Sequence, residues 1–317
     1  MNENKLYYTG EELLKREVKE IPMLWKPFIQ QTGLIGLTGS SDTGKSILLR
    51  QLAIAVCLRK DTFLNYPLNS RFGTVIYIST EDSEDAISAS LSKQLKDVDP
   101  RQLNGVKFIF NQQRPGATLL SILKQGRVDL IIIDAWADLF EGNPNDVVQV
   151  RKSLNRLTKI AQKNECAIII LHHTVKNSEY HRPDKNKLNG SQGIEAKLRV
   201  LLELRQNEND ERTLSVLKGN YISSEIKKNS LLIRFDEERL LFFPTGKTIA
   251  KNTILSRGRE TFGSNMQLTA RIVELREGEE LSYPEIRQQL VIEFGEEGTP
   301  SLTLIKNIYA SVSQNVA

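Results

Sequence analysis

Residues 39–46 constrain the fold of this chain more than any other segment. They are Gly-Ser-Ser-Asp-Thr-Gly-Lys-Ser and match the pattern G-x-x-x-x-G-K-[ST] in full. An apolar stretch typical of a strand precedes them, and a stretch with helical periodicity follows. In this context the loop turns backbone N–H groups inward around a phosphate, and the helix N-terminus adds partial positive charge. The alternative, a glycine-rich turn that only connects strand to helix, is disfavoured by the flanking pattern.

The side chains of this loop predict a nucleoside triphosphate site, with ATP and Mg²⁺ as cofactors. Lys45 is expected to bridge the β- and γ-phosphates, and Ser46 to ligate Mg²⁺. The predicted nucleotide-binding residues are Gly39, Ser40, Ser41, Asp42, Thr43, Gly44, Lys45 and Ser46.

Two further apolar stretches end in acidic residues. Asp134 follows residues 130–133 and is predicted to hold the magnesium shell, although it could also be a plain helix cap. Glu81 follows residues 75–80 and is predicted to orient and deprotonate the attacking water. Alternatively, the negative charge of Glu81 stabilises the N-terminus of the next helix through the helix dipole. This is the role expected for residues 82–85.

The apolar pattern predicts an α/β fold. Short runs rich in Ile, Val and Leu alternate with stretches of helical periodicity, which indicates a mostly parallel sheet with right-handed crossovers. The predicted strands are 34–38, 74–79, 106–110, 130–133 and 167–171, and the helices are 46–58, 84–95, 117–125 and 147–163. After residue 199, hairpins are expected to complete the sheet.

Composition excludes several classes of protein. Hydrophobic residues make up 39% and charged residues 26%, which is unlike disordered or disulfide-scaffold chains. No apolar run approaches the length of a membrane helix, and the N-terminus lacks a secretory signal, so we expect a cytoplasmic protein without membrane contact. The two cysteines, Cys57 and Cys166, are expected to be buried thiols.

The strand 167–171 is followed by two histidines, His172 and His173. Adjacent residues on a strand point to opposite faces, and no suitably spaced Cys or acid completes a metal site. A polar side chain beside the nucleotide could instead sense the γ-phosphate, which is the role we favour.

The order of these motifs resembles the RecA-like hexameric ATPases, in particular the RepA-type replicative helicases. The resemblance spans about residues 33–243 and rests on the segments 39–46, 80–82, 133–134, 171–173, 189–199 and 218–221. It implies a RecA-like P-loop NTPase core, a homo-oligomeric, hexameric ring, and DNA as partner. It also implies roles in plasmid or mobile-element DNA replication.

Carried over by position, the resemblance assigns several catalytic residues. Glu81 is the catalytic carboxylate, one of His172 and His173 couples the nucleotide state to DNA loops, and Arg199 is an arginine finger that reaches the neighbouring subunit. Arg199 could also be an ordinary exposed residue at a strand start. Where the family has an Arg in the helix after the acidic pair, this chain has Ser90, so a phosphate contact there is either missing or replaced by Lys93.

The polar segment 175–188 is the predicted nucleic-acid interface, because scattered cations can follow a phosphate backbone. A solvated loop explains it equally well. The candidate residues are Lys176, Arg182, Lys185 and Lys187.

Four segments are predicted along the chain: an N-terminal segment (1–32), the ATPase domain (33–245), a linker (246–265) and a small helical C-terminal domain (266–317). Helices expected at 267–276, 283–294 and 299–311 resemble a helix-turn-helix or winged-helix core. Residues 258–317 carry a net charge of −4, whereas the rest of the chain carries +8. The acidic balance favours docking of a replication protein over binding of DNA.

The sequence thus predicts an ATP-hydrolysing, DNA-associated motor. One alternative is a regulatory or loader ATPase that switches a DNA or protein partner without translocating. A weaker alternative is a DNA-binding protein that does not depend on nucleotide.

Overall fold

The structure is a computed structural model that describes residues 7–96, 98–110, 114–173, 183, 192–206, 211–254, 266–295 and 299–313. The chain divides into two compact units, Met1–Arg257 and Gly258–Ala317. Each unit is described by itself.

The first unit contains all the strands among the described residues. The strands are Met23–Trp25 (β1), Ile29–Gln30 (β2), Gly33–Gly39 (β3), Thr62–Phe63 (β4), Tyr66–Pro67 (β5), Val75–Ser79 (β6), Val106–Phe110 (β7), Leu130–Asp134 (β8), Ala167–His173 (β9), Val200–Gln206 (β10), Arg212–Gly219 (β11), Asn229–Asp236 (β12) and Leu241–Ala250 (β13).

Among the described residues of the first unit, the four helices predicted between strands are present, together with three short helices that were not predicted. They are Gly10–Leu14 (α1), Lys45–Cys57 (α2), Glu84–Gln94 (α3), Pro115–Gln125 (α4), Val147–Asn164 (α5), Gln192–Lys197 (α6) and Ser224–Lys228 (α7).

Nine strands form one central sheet in the order β13-β12-β11-β10-β3-β9-β8-β6-β7. The six strands from β10 to β7 are parallel, and β11, β12 and β13 extend the sheet in antiparallel pairs. The predicted mostly parallel α/β core is confirmed. Because parallel strands share one direction, the carboxyl ends of β3, β6, β8 and β9 meet at one edge.

The sheet is buried on both faces, since alternate residues of its strands enter two different apolar cores. On one face Leu37, Tyr77 and Ile132 pack with residues of α2. On the other face Ile78 and Ile133 pack with residues of α4 and α5. This two-sided burial explains why the parallel strands are continuous apolar runs.

Residues 23–30, predicted to lie outside the ATPase domain, belong to its core. The Trp25 ring packs against Phe28 and Phe63 with centroid distances of 4.6 and 5.0 Å, and its indole N–H donates to the Phe63 carbonyl oxygen. Both Trp25 and Phe28 are part of the apolar core shared with α2.

The sheet also extends further toward the C-terminus than predicted. Residues 246–250, expected to be linker, continue β13, where Thr248, Ile249 and Ala250 pair with β12. The rest of the predicted linker from residue 255 onward lies outside the described residues.

The described part of the second unit is helical. It contains Met266–Val273 (α8), which continues as a wide turn over Glu274–Gly278, then Tyr283–Phe294 (α9) and Leu302–Ser313 (α10). Leu268, Ile272, Ile286, Leu290 and Ile305 form its apolar core. The last helix starts later than predicted, because Ser301 rather than Thr299 accepts the backbone N–H of Leu304. Resemblance of this unit to a helix-turn-helix remains a prediction.

No helix within the described ranges combines the length and the apolar character that crossing a membrane requires.

Candidate functional site

A cavity of about 720 Å³ opens at the carboxyl edge of the parallel strands. In the strand register, Gly39 lies beside His173 and Ser79 beside Asp134. The cavity is lined by Ser41, Asp42, Gly44, Lys45, Ser46, Ile47, Arg50, Glu81, Asp82 and Leu171. The edge thus brings together residues from three distant stretches of sequence.

Two glycines give the loop 39–46, hereafter the P-loop, its shape. Gly39 has φ +151°, and a Cβ there would lie 2.2 Å from the carbonyl oxygen of Leu204 on β10. Gly44 has φ +89°, and its Cβ would lie 2.8 Å from the Phe242 ring. Both positions combine an unfavourable φ for L side chains with a close contact, so glycine is required for steric reasons.

Lys45 is buried at the floor of the loop with 5% of its surface exposed. Its ammonium group donates to the carbonyl oxygen of Ser40 at 2.5 Å. Burial lowers the pKa of Lys45 from 10.5 to about 8, and the nearby carboxylates of Asp134 and Glu81 partly oppose this shift. A triphosphate bound in the loop would place further negative charge beside this buried ammonium group.

Asp134 is buried at the end of β8, beside α2, the helix that follows the P-loop and is called the P-loop helix below. The Tyr77 hydroxyl donates to its Oδ2, while Oδ1 has no hydrogen-bond partner among the described residues. Burial raises the pKa of Asp134, and the hydroxyls of Tyr77 and Ser46 and the Arg50 guanidinium oppose the rise. A buried carboxylate oxygen without a partner, next to a serine hydroxyl, fits a hard cation such as Mg²⁺.

The acidic pair after β6 divides into two environments. Glu81 is exposed and lines the cavity near Lys45. Asp82 instead accepts a hydrogen bond from the buried guanidinium of Arg50 at 2.8 Å. Asp82 was predicted to favour the dipole of the next helix. The structure corrects this, because α3 begins at Glu84 with Ser83 as its cap, while Asp82 pairs with α2.

Thr80 fastens the end of β6 to the end of β8. Its backbone N–H donates to the Asp134 carbonyl oxygen at 2.8 Å, and its hydroxyl donates to Asp138 at 2.6 Å. The same hydroxyl oxygen accepts the N–H of Ala135 at 2.8 Å. These bonds fix Glu81, the next residue, relative to Asp134.

The structure describes the side chain of His172 but only the backbone of His173. His172 is buried and packs edge-to-face on Trp136 with a centroid distance of 6.0 Å. Trp136 belongs to the core shared with α5, so His172 faces away from α2, whereas Leu171 lines the cavity. The backbone of His173 ends β9 beside Gly39, and its side chain is outside the described part of the structure. A sensing role for either residue remains a prediction.

Arg199 lies at the opposite end of the sheet from the P-loop of its own chain. It is exposed just before β10, and its backbone N–H donates to the Leu34 carbonyl oxygen at 2.9 Å. Gly39 lies five residue steps along β3 from Leu34, a distance of roughly 16 Å. Its predicted role in a neighbouring subunit is not tested by this position. The four predicted nucleic-acid contacts (Lys176, Arg182, Lys185 and Lys187) lie outside the described residues.

Sequence reasoning missed three residues of the site. Arg50 is buried within the cavity lining, Tyr77 binds Asp134, and Arg212 on β11 is buried with its Nε donating to the Thr43 carbonyl oxygen at 3.3 Å. Arg50 carried a signal, because an arginine on the first turns of an otherwise apolar buried helix is unusual. Arg212 comes from a hairpin 169 residues away, and nothing local in the sequence indicates its contact.

A family model described as an AAA domain matches residues 8–179, which is more than half of the chain. The chain belongs to the AAA domain family. Among solved structures, an ATPase domain matches with a TM-score of 0.56 at 14% identity, over 74% of this chain and 95% of that chain. No curated protein sequence matches the chain.

The AAA domain match ends at residue 179, although the sheet to which it contributes continues to Ala250. The shared fold and the family together confirm the predicted RecA-like P-loop ATPase core. The narrower RepA-type assignment remains a prediction.

Proposed function

We propose that this AAA domain protein hydrolyses ATP in the cavity at the carboxyl edge of the parallel strands. The observation that carries the proposal is that Lys45 and Glu81 line one cavity over a glycine-shaped P-loop, while the buried carboxylate of Asp134 acts electrostatically on the same Lys45. Each of the three side chains supplies a different requirement of phosphoryl transfer to water.

Glu81 is the general base of the proposed reaction. Its carboxylate takes a proton from water, the water oxygen bonds to the γ-phosphorus, and the bond from that phosphorus to the β–γ bridging oxygen breaks. The products are ADP and inorganic phosphate. Thr80 positions this base, since its bonds to the Asp134 carbonyl oxygen and to Asp138 hold the end of β6.

Lys45 exchanges its bond to the Ser40 carbonyl oxygen for the β- and γ-phosphates when the nucleotide enters. Ser46 and Asp134 would hold Mg²⁺, which when bound neutralises charge that develops on the phosphate oxygens. The Tyr77 hydroxyl orients the Asp134 carboxylate by donating to Oδ2, so Oδ1 would be the oxygen available to hold the cation.

We further propose that hydrolysis drives a DNA-associated motor that assembles as a ring. The resemblance to ring ATPases and the +8 charge of residues 1–257 support this proposal. DNA would pass the loop 175–188, and Arg199 of one subunit would reach the nucleotide of the next. The acidic C-terminal unit would dock a protein partner.

ATP hydrolysis measured with and without single-stranded DNA, together with mass by light scattering, tests this proposal. Stimulation by DNA with strand displacement supports a motor. Slow turnover that DNA does not change would support the regulatory or loader ATPase instead. Absence of hydrolysis in wild-type protein would refute the proposed ATPase activity.

Mixing of two inactive variants tests the shared site. Arg199→Ala supplies an intact P-loop, and Lys45→Ala supplies an intact Arg199. Mixed oligomers would regain activity at the interfaces that combine the two intact parts. A wild-type protein that is monomeric in ATP, or mixtures without any rescue, would refute the role of Arg199.

A further inference from the structure

The outward face of helix α5 has an unusually uniform charge. The helix spans 18 residues and contains no Asp or Glu. Its five charged residues are all exposed cations: Arg151, Lys152, Arg156, Lys159 and Lys163. Carboxylates occur only at its two ends, where Asp146 caps the N-terminus and Glu165 pairs with Arg127 at 2.5 Å.

Four of these cations lie on one side of the helix and define what we call the basic stripe. Lys152, Arg156, Lys159 and Lys163 are spaced by four, three and four residues, the spacing that aligns side chains along a helix. The stripe is roughly 16 Å long, from the helical rise per residue. Solvated helices usually interleave acids with such cations, which α5 does not do.

The basic stripe forms no ion pair with any carboxylate in the described ranges. Two of the acidic side chains that precede this helix bind other groups. Asp138 binds Thr80, and Asp146 binds backbone N–H groups of its own helix. The described part of this unit therefore does not neutralise the charge of the stripe, which remains available to a partner.

A groove of about 320 Å³ continues the stripe between α4 and α5. Lys124 from α4 faces Lys159 and Lys163 across it, and Leu120 and Ile160 line its floor. Cations on both walls would hold an extended anion from two sides. Among the described residues, no aromatic side chain lines this groove or the surface along α5.

We propose that the basic stripe binds the phosphate backbone of duplex nucleic acid without reading its sequence. A row of exposed cations complements regularly spaced phosphates, and a duplex carries one charge per roughly 1.7 Å of its axis. A surface without aromatic lining does not offer the base stacking that single-strand binding uses. The residues of this site do not line the P-loop cavity, and its binding requires no nucleotide.

The test is a titration of labelled duplex DNA, without nucleotide, at several salt concentrations. Wild-type protein is compared with the quadruple variant K152Q/R156Q/K159Q/K163Q. The variant should bind at least about tenfold more weakly at low salt, and its slope of log K against log salt should fall by roughly two to four, or about 0.9 per lost phosphate contact.

A matched variant, K19Q/K60Q/K96Q/K228Q, removes the same charge from exposed positions elsewhere. It should keep the wild-type salt slope, and thermal unfolding of both variants checks that they fold. An equal loss of affinity in both variants would overturn the proposal, because only net charge would then matter. An unchanged slope in the stripe variant would also overturn it.

An acidic protein surface is the alternative partner for such a stripe. One example is residues 258–317 of a second copy, which carry a net charge of −4. Sedimentation of the stripe variant tests this possibility. Loss of self-association with unchanged DNA affinity would assign the stripe to a subunit interface and refute the nucleic-acid proposal. The experiment stays informative if the chain does not hydrolyse ATP, because DNA binding is measured alone.

Discussion

The guanidinium of Arg50, 4% exposed, donates to the Asp82 carboxylate at 2.8 Å and joins the P-loop helix to the residue after Glu81. The same guanidinium opposes the rise that burial causes in the pKa of Asp134. One side chain therefore acts on both acidic strand ends of the candidate site. Neither effect is part of the standard P-loop pattern from which the site was predicted.

Replacing Arg50 should shift the pH dependence of hydrolysis. In Arg50→Met the pKa of Asp134 loses a cation that opposes its rise, so the carboxylate is protonated at higher pH. The acid limb of the pH–rate profile should move upward. A profile measured in parallel on Asp82→Asn provides the control, because that variant keeps the guanidinium. An unshifted limb in Arg50→Met would contradict this electrostatic role.

The Arg50–Asp82 pair should also contribute to stability. Asp82→Asn leaves a buried guanidinium without its charged partner, which should lower the free energy of unfolding by about 1 to 3 kcal/mol. The lower part of this range is expected, since the Asp82 side chain is 41% exposed. Urea unfolding of both single variants and the double variant gives the coupling energy, and a coupling near zero would refute the pair.

Glu81→Gln should separate binding from catalysis. The amide keeps the size of the side chain but cannot accept the proton, so hydrolysis should fall by roughly 10² or more while ATP still binds. Asp82→Asn should lower hydrolysis less at temperatures where it remains folded. If the two variants rank in the opposite order, Asp82 is the base and our assignment is wrong.

Lys45 should make nucleotide affinity depend on pH. Its pKa is about 8 without nucleotide, and only the ammonium form neutralises phosphate. Affinity should therefore decline as the pH rises above 8, by up to about tenfold per pH unit. Calorimetric titration of ATP across this range measures the decline. Lys45→Met should bind weakly at every pH and lack this dependence.

The lowered pKa of Lys45 should make the free energy of unfolding rise with pH, whereas the affinity for nucleotide declines with pH. The folded-state pKa lies below the unfolded value of 10.5, so the unfolded chain binds more protons between these values. The free energy of unfolding without nucleotide should gain a contribution from Lys45 as the pH rises from 8 to 10.5. Lys45→Met should lack that contribution, and identical pH profiles for both proteins would contradict the shifted pKa.

Gly39→Ala should disrupt the site through backbone sterics. The added methyl group would overlap the Leu204 carbonyl oxygen, and the backbone φ disfavours it. We expect loss of ATP binding and a destabilisation of roughly 2 kcal/mol or more. Gly116→Ala is the control, since no atom lies within 4 Å of its Cβ position in helix α4. ATP binding and thermal unfolding of both variants test this.

The sequence predicted those parts of the fold that local patterns encode. Continuous apolar runs identified the buried parallel strands, and the carboxyl ends of those strands located Lys45, Glu81 and Asp134. Their convergence followed from strand direction alone, because parallel strands end at a common edge. The confirmed α/β core rests on these local signals.

Contacts between distant segments could not be predicted in the same way. The pairing of Arg50 with Asp82 depends on how α2 lies against β6, and the contact of Arg212 with Thr43 depends on the antiparallel extension. The polar sequence 245–250 resembled a linker because β13 is an edge strand, whose outer residues remain exposed. Edge strands lack the two-sided burial that made the central strands recognisable.

The contact between Phe242 and the P-loop has a consequence for where this ATPase can be truncated. Gln51 on α2 forms two hydrogen bonds with the backbone of Phe242, at 2.8 and 2.9 Å, while the Phe242 ring lies against Gly44. The P-loop thus packs against β13, a strand that begins 62 residues after the AAA domain match ends. A fragment cut at the family boundary would lack Phe242 and expose this side of the P-loop, so we expect a fragment that binds nucleotide to extend at least through Phe242.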